Sequence, residues 1–221
     1  MTSSLRDGLS FCLLGDRIVF LDLPQDRYFG LAPGVEEVFK RAIAGDPLTA
    51  RERALLGAAR VIKAGDTPLS LHACQAATPR RSIFEHRCGR SRSREIAAFA
   101  WQLLRARLNL RFRGLPRTME GVVRRKQDAA AAAVNHTGAE QVLARAAEAQ
   151  HKCARIFGSH DLCLPYAIAL ADLLFAQGVP AEIVIAVGMP PFRAHAWVQS
   201  GDILVNERLD IAADYTPIAV L

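Results

Sequence analysis

The chain has 221 residues, 51% of them hydrophobic, and a net charge of +6, which permits one domain or two small ones with an ample core. No apolar run reaches the roughly 18 residues a spanning helix needs, so a membrane-embedded protein is not expected. The N-terminal Met1-Thr-Ser-Ser-Leu-Arg-Asp7 lacks the charged-then-apolar plan of a signal peptide, and a cytoplasmic location is the expectation.

Residues 1–70 read as a small module. Ser10-Phe-Cys-Leu-Leu14, a Gly15-Asp16 turn and Arg17-Ile-Val-Phe-Leu-Asp22 give a hairpin signal. A short third strand is expected over Arg27, Tyr28, Phe29, Gly30 and Leu31. Alternation sets Tyr28 and Gly30 on one face and Phe29 and Leu31 on the other, and the phenol suits the wetter side. Pro33-Gly34 leads into a helix over 35–44 with Val35, Val38, Phe39 and Ala42 as its apolar stripe. Thr49-Ala-Arg-Glu52 is a capping box opening a second helix, with Gly65 as its expected stop. Three strands followed by helices predict a winged-helix-like unit. Charge speaks against DNA binding: residues 1–75 carry nine Lys/Arg and nine Asp/Glu, where a phosphate-binding face needs a positive excess.

The positive charge lies in residues 76–128, with 14 basic side chains against four acids, while 129–221 hold five against nine. Residues 71–94, with Pro79-Arg-Arg-Ser82 and Cys88-Gly-Arg-Ser-Arg-Ser-Arg94, read as a basic interdomain linker. Beyond it Ile96, Phe99, Leu103 and Leu104 form one helical face, with Trp101, Arg105 and Arg107 at other positions. Residues 111–117 read as a loop, 119–133 as a helix, Asn135-His-Thr-Gly138 as a break and 139–157 as a long helix. Three readings fit the basic segment: a solvated surface, a nucleic-acid patch, or a docking site for an acidic partner. Aromatic side chains are too few for a base-stacking platform, so no nucleic-acid partner is expected. No phosphate-binding glycine loop with Lys-Ser/Thr is present, and no cofactor is expected.

Near the C-terminal end Ser159-His160-Asp161-Leu162-Cys163-Leu164-Pro165 runs into a helical pattern with apolar residues at 163, 166, 167, 170, 173 and 174, closed by Gly178. Ser159 or Asp161 is the N-cap candidate, and Pro165 falls in the first turn, where its missing N–H costs nothing. Cys163 then sits at a helix N-terminus, where N–H groups and the helix dipole favour a thiolate. A cysteine at such a place is either a packing residue or a nucleophile, and a partner histidine decides between them. After a strand over 181–187 and the loop Gly188-Met-Pro-Pro191, the run Ala194-His195-Ala196-Trp197-Val198-Gln199 alternates, with His195, Trp197 and Gln199 on one face. A Gly201-Asp202 turn and the strand 203–205 end in Asn206-Glu207. This is the plan of Cys–His–acid catalysis, in which imidazole takes the thiol proton and the acid holds the ring. The other cysteines (12, 74, 88, 153) and the pairs His86/Cys88, His151/Cys153 and His160/Cys163 show no C-x-x-C, so neither a disulfide framework nor a metal site is expected.

The Cys163 helix followed by Ala194-His195-Ala196-Trp197-Val198 and a trailing acid resembles the transglutaminase-like cysteine peptidases. More narrowly, the stretches 163–187, 194–198 and 203–207 look like the leader peptidase (B protein) of lasso-peptide biosynthesis. The resemblance implies an α+β chain whose residues 95–221 form a papain/transglutaminase-like domain, with a helical layer on an antiparallel sheet. Cys163 would be the nucleophile, His195 the base and then acid, and Glu207 the orienting carboxylate. The family carries Asp where this chain has Glu207, so Asp202, Asn206 and Asp210 stay open for that role. The Cys163 backbone N–H is expected as one oxyanion donor. Asp26-Arg-Tyr-Phe-Gly-Leu31 is similar to the third strand of the peptide-recognition element of ribosomal-peptide pathways, beside which the leader adds as a strand. Arg27, Tyr28, Phe29, Gly30 and Leu31 would then bind the leader of a precursor peptide. The resemblance also implies an asparagine-synthetase-like, ATP-dependent macrocyclase (the C protein) as partner. Two other outcomes remain: transglutaminase-type acyl transfer by the same Cys–His pair, and a non-catalytic winged-helix binding protein.

Overall fold

The computed structural model describes residues 5–63, 69–85, 91–131, 138–158 and 162–221. Gly65, Asn135, His136 and Thr137, expected to break the chain, lie outside these residues. So do His86, Cys88, Ser159, His160 and Asp161. The chain divides into two compact units, one of residues 1–75 with 216–219 and the other of residues 76–215 with 220–221.

In the first unit β1 (Leu9–Leu14) and β2 (Arg17–Asp22) pair antiparallel across the Gly15-Asp16 turn, and β3 (Arg27–Phe29) pairs with the far side of β2. Gly30 and Leu31, expected in that third strand, lie beyond it. The next donor along β2, the Ile18 N–H, bonds the Glu36 carboxylate at 2.9 Å, so no strand carbonyl is needed there. Helix α1 (Pro33–Ala44) starts two residues earlier than expected, because proline is preorganised for a first turn. Phe11, Phe20 and Phe39 are fully buried, and Phe29 stacks on Phe20 with ring centroids 5.1 Å apart. Helix α2 (Ala50–Ala58) opens on the capping box: Thr49 Oγ accepts the Glu52 N–H, and Glu52 accepts the Thr49 N–H at 2.8 Å. It ends well short of Gly65. Arg60 adopts the left-handed conformation, the Val61 N–H bonds Leu56 C=O, and Val61 becomes fully buried. Burying that valine turns the chain out of the helix.

In the second unit a long helix, α3 (Ser93–Ala131), is broken at Gly114, where φ is 74°. The expected loop over 111–117 is therefore a one-residue break, a left-handed conformation that suits glycine. The Thr118 Oγ donates to Gly114 C=O at 2.7 Å and recaptures that acceptor. Helix α4 (Ala139–Phe157) and helix α5 (Cys163–Phe175) follow. Residues 71–94 are not merely a linker, because Arg81–Ser82 form a strand, β4. It runs parallel to β7 (Ile203–Leu204), held by Arg80 N–H to Asp202 C=O (2.8 Å) and Ile83 N–H to Leu204 C=O (2.9 Å). Those bonds use only main chain, which basic composition does not oppose. With β5 (Glu182–Gly188), β6 (Arg193–Ser200) and the last strand β8 (Thr216–Val220), the sheet order is β4-β7-β6-β5-β8. Strands β5, β6 and β7 are antiparallel as expected, with β4 the parallel addition. A short helix, α6 (Leu209–Ala213), precedes β8. The architecture is α+β.

Every residue of α5 from Tyr166 to Phe175 is buried, including its one acid, Asp172. Arg105 reaches Asp172 at 2.8 Å and Arg125 at 2.7 Å, one from each side of the Gly114 break. This carboxylate fastens both arms of α3 to the helix that carries Cys163. Asp172→Asn is expected to cost about 3 kcal/mol in urea denaturation. That is the low end of the ~3–5 kcal/mol for breaking a buried pair, because both guanidinium groups still reach water.

Candidate active site

Cys163 is the first residue of α5. Leu162 precedes it with no side-chain cap, so the first-turn donors are left for other acceptors. The backbone N–H groups of Ala196 and Leu164 favour the thiolate form of Cys163. Strand β6 brings His195 alongside. His195 stands opposite Ala186 on β5, and its ring centroid lies 5.3 Å from that of Tyr215 and 6.1 Å from that of Trp197. Arg193 covers the Tyr215 ring at 5.3 Å. Gly188 makes room for this approach, since a Cβ there would lie 3.1 Å from the Asp214 carbonyl oxygen and against the Tyr215 ring. Trp197 is buried and donates from its indole N–H to Gln199, whose amide in turn donates to the Ala77 and Gly201 carbonyls. These bonds fix the strand on which His195 stands.

Glu207 completes the cluster. His195 Nε2 donates to Glu207 Oε2 at 2.6 Å, and Glu207 Oε1 accepts the Arg208 N–H at 2.9 Å. The Ser82 hydroxyl on β4 donates to the Glu207 carbonyl at 2.7 Å and anchors its backbone. His195 also engages the Cys163 thiol, which it holds below its usual range. The three residues thus form one chain: thiol, imidazole, carboxylate. The other candidates for the third position are placed differently. The Asn206 Oδ1 accepts the Val198 N–H at 2.7 Å, Asp210 pairs with Arg208, and Asp202 does not line the cleft that holds Cys163 and His195.

Electrostatics separate this cysteine from the others. Burial works against a thiolate at Cys163, but the His195 hydrogen bond and charge, with the N–H groups of Ala196 and Leu164, outweigh it and hold the thiol below its usual 9.0. Burial pushes Cys12 up to about 12 and Cys74 up to about 11, and raises Cys153 as well. For His195, burial disfavours the charge, yet the hydrogen bonds from Cys163 and Glu207 prevail and lift it to about 9. The shifts run toward a thiolate–imidazolium pair, the state in which sulfur attacks and the ring has a proton to give.

A cleft of about 460 Å³ opens onto this pair. Its far wall is a face of α4 bearing Ala147, Gln150, His151, Ala154 and Arg155, and Phe84, Leu162 and Tyr166 make it partly apolar. These positions recur at helical spacing, so the sequence shows a face without showing what it meets. Arg27, Tyr28, Phe29, Gly30 and Leu31 belong to the first unit and do not line this cleft. Among the described residues no group of three metal-ligating side chains converges, and no helix is long and apolar enough to cross a membrane.

The sequence profile described as the transglutaminase-like superfamily matches residues 96–220, a span that includes Cys163, His195 and Glu207. No curated protein and no solved structure matches the chain.

Proposed function

This chain belongs to the transglutaminase-like superfamily, whose chemistry is that of cysteine-dependent peptidases and acyltransferases, and from that premise we propose that it is a leader peptidase of lasso-peptide maturation. The observation that carries the catalytic reading is the Cys163–His195–Glu207 chain, with Cys163 the one described cysteine whose thiol is lowered. Cys163 thiolate attacks the carbonyl carbon of the leader–core bond, and His195 imidazolium gives its proton to the leaving amine. His195 then takes a proton from water, which attacks the thioester and frees the leader carboxylate. The Cys163 N–H, at the start of α5, would serve as one oxyanion donor. Incubation with a candidate precursor peptide followed by mass spectrometry tests this reading. Hydrolysis gives two fragments whose masses sum to the precursor plus water. Transglutaminase-type acyl transfer instead retains the attacking amine in the acyl product.

The first unit is proposed to hold the leader, as a strand added beside β3. Support comes from the position of β3 at the end of its sheet order and from the balanced charge of residues 1–75. In the register of the β1–β2 hairpin, Phe29 and Arg27 face β2 through their main chain, and the Tyr28 amide faces away. Tyr28→Pro is accordingly expected to weaken leader binding by about tenfold, the loss of one backbone hydrogen bond. Fluorescence anisotropy of a labelled leader, in the Cys163→Ala background, measures it, and affinity should depend only weakly on salt. Holding the leader on one unit raises the effective concentration of the scissile bond at the other. The proposed setting is the cytoplasm, and the proposed partner is an asparagine-synthetase-like macrocyclase, to which any ATP requirement belongs.

A further inference from the structure

The first arm of α3, ahead of Gly114, has two apolar faces. One carries Phe99, Leu103 and Ala106, all buried. The opposite one carries Trp101, Leu104, Leu108 and Phe112, exposed by 64%, 49%, 46% and 75%. At 3.6 residues per turn these four fall on a single line about 16 Å long. Single exposed apolar side chains are ordinary, but four large ones in a row mark an interaction surface. Arg107 and Arg111 flank the line, one turn apart. Neither pairs with a carboxylate among the described residues, and the same holds for Arg113, Arg117 and Arg124. The α3 cations that do pair are Arg105 and Arg125 with Asp172, and Lys126 with Glu182. Around the break, Arg113, Arg117 and Arg124 line a groove of about 430 Å³ with Asn109 and Thr118, and Glu120 is its one acid. Over Ser93–Ala131 nine basic residues face three acids.

We infer that this arm of α3 docks an acidic amphipathic helix of a partner protein. Its apolar side chains cover the Trp101–Phe112 line, and its carboxylates meet Arg107 and Arg111. Charge selects this occupant. A second copy of the chain would set Arg107 and Arg111 against their own like. The guanidinium fork matches a carboxylate through two parallel hydrogen bonds. A flat anionic bilayer could take the exposed line, but it would leave the arginine groove round the side of the helix unused, whereas a protein surface can follow both. The inference concerns binding alone and stands apart from the peptidase reading.

Trp101 offers the readout, because the second tryptophan, Trp197, is only 2% exposed. The full chain is titrated with a synthetic helical peptide bearing leucine on one face and glutamate beside it. A lysine-for-glutamate counterpart and vesicles of phosphatidylcholine mixed with phosphatidylglycerol serve as the other arms. The acidic peptide is expected to blue-shift Trp101 emission, with affinity falling as salt rises. Leu108→Glu, and separately Arg107→Gln with Arg111→Gln, should each weaken binding about tenfold or more while leaving the far-UV spectrum unchanged. Equal binding of the lysine peptide, or no binding of either, overturns the inference. So does uptake by vesicles with the acidic peptide ignored, or self-association that shields Trp101 in ultracentrifugation.

Discussion

Cys163→Ala is expected to abolish precursor cleavage, a loss of about 10⁴–10⁶-fold, and to leave leader affinity unchanged. The proposed nucleophile stands at the first residue of α5, and the proposed capture strand β3 lies in a different unit, so one function should be deletable without the other. His195→Ala is expected to behave likewise, because the imidazole lowers the thiol and, in the proposed mechanism, supplies the leaving-group proton. The double variant should be little worse than either single one, since residues that act as one relay lose their effect together. Timed mass spectrometry of a precursor digest, alongside anisotropy of a labelled leader, reads both quantities. Free leader released by Cys163→Ala at more than a trace rate would remove Cys163 from the mechanism and leave the fold assignment standing.

The parts of this arrangement that were legible beforehand are those encoded by local pattern. The Gly15-Asp16 hairpin, the Thr49–Glu52 capping box and the 139–157 helix each rest on neighbours in sequence, and each forms where expected. Cys163 and His195 were legible because helix-start chemistry and strand alternation place them without any knowledge of packing. What escaped was decided at a distance. Arg81–Ser82 become a strand because the Asp202 and Leu204 carbonyls lie within reach, which no window around residue 81 contains. Helix α2 ends at Ala58 because Val61 has a core to enter. The Arg-Gly-Leu-Pro signal at 113–116 marks a break correctly, yet Thr118 recaptures the Gly114 carbonyl and Asp172 holds the arms on either side, so the helix resumes at once. The α4 wall of the cleft was invisible for the same reason: His151 is recognisable as a polar residue on a helix, but its place in the wall of the cleft depends on how α4 meets α5.

Glu207→Gln should keep the fold and cut the cleavage rate by about 10²–10⁴-fold, the scale expected when an orienting acid is neutralised. Glutamine has nearly the same shape, and the Ser82 and Arg208 bonds that hold residue 207 would survive, the first because it is made to main chain. What goes is the negative charge 2.6 Å from His195 Nε2, and with it the force that fixes the tautomer and favours the imidazolium. The sign on pH follows. Against burial, Cys163 and Glu207 together lift His195 to about 9, so neutralising Glu207 removes part of that support and lowers the ring. Activity needs an imidazolium to protonate the leaving amine, and is therefore lost as pH rises through the His195 value. In Glu207→Gln that alkaline limb should move to lower pH, while a residue with a merely structural role would lower the rate without moving the limb. A pH–kcat/KM profile decides between them. A near-normal Glu207→Gln together with an inactive Asp202→Asn would transfer the third role to Asp202 and leave the Cys163–His195 pair intact.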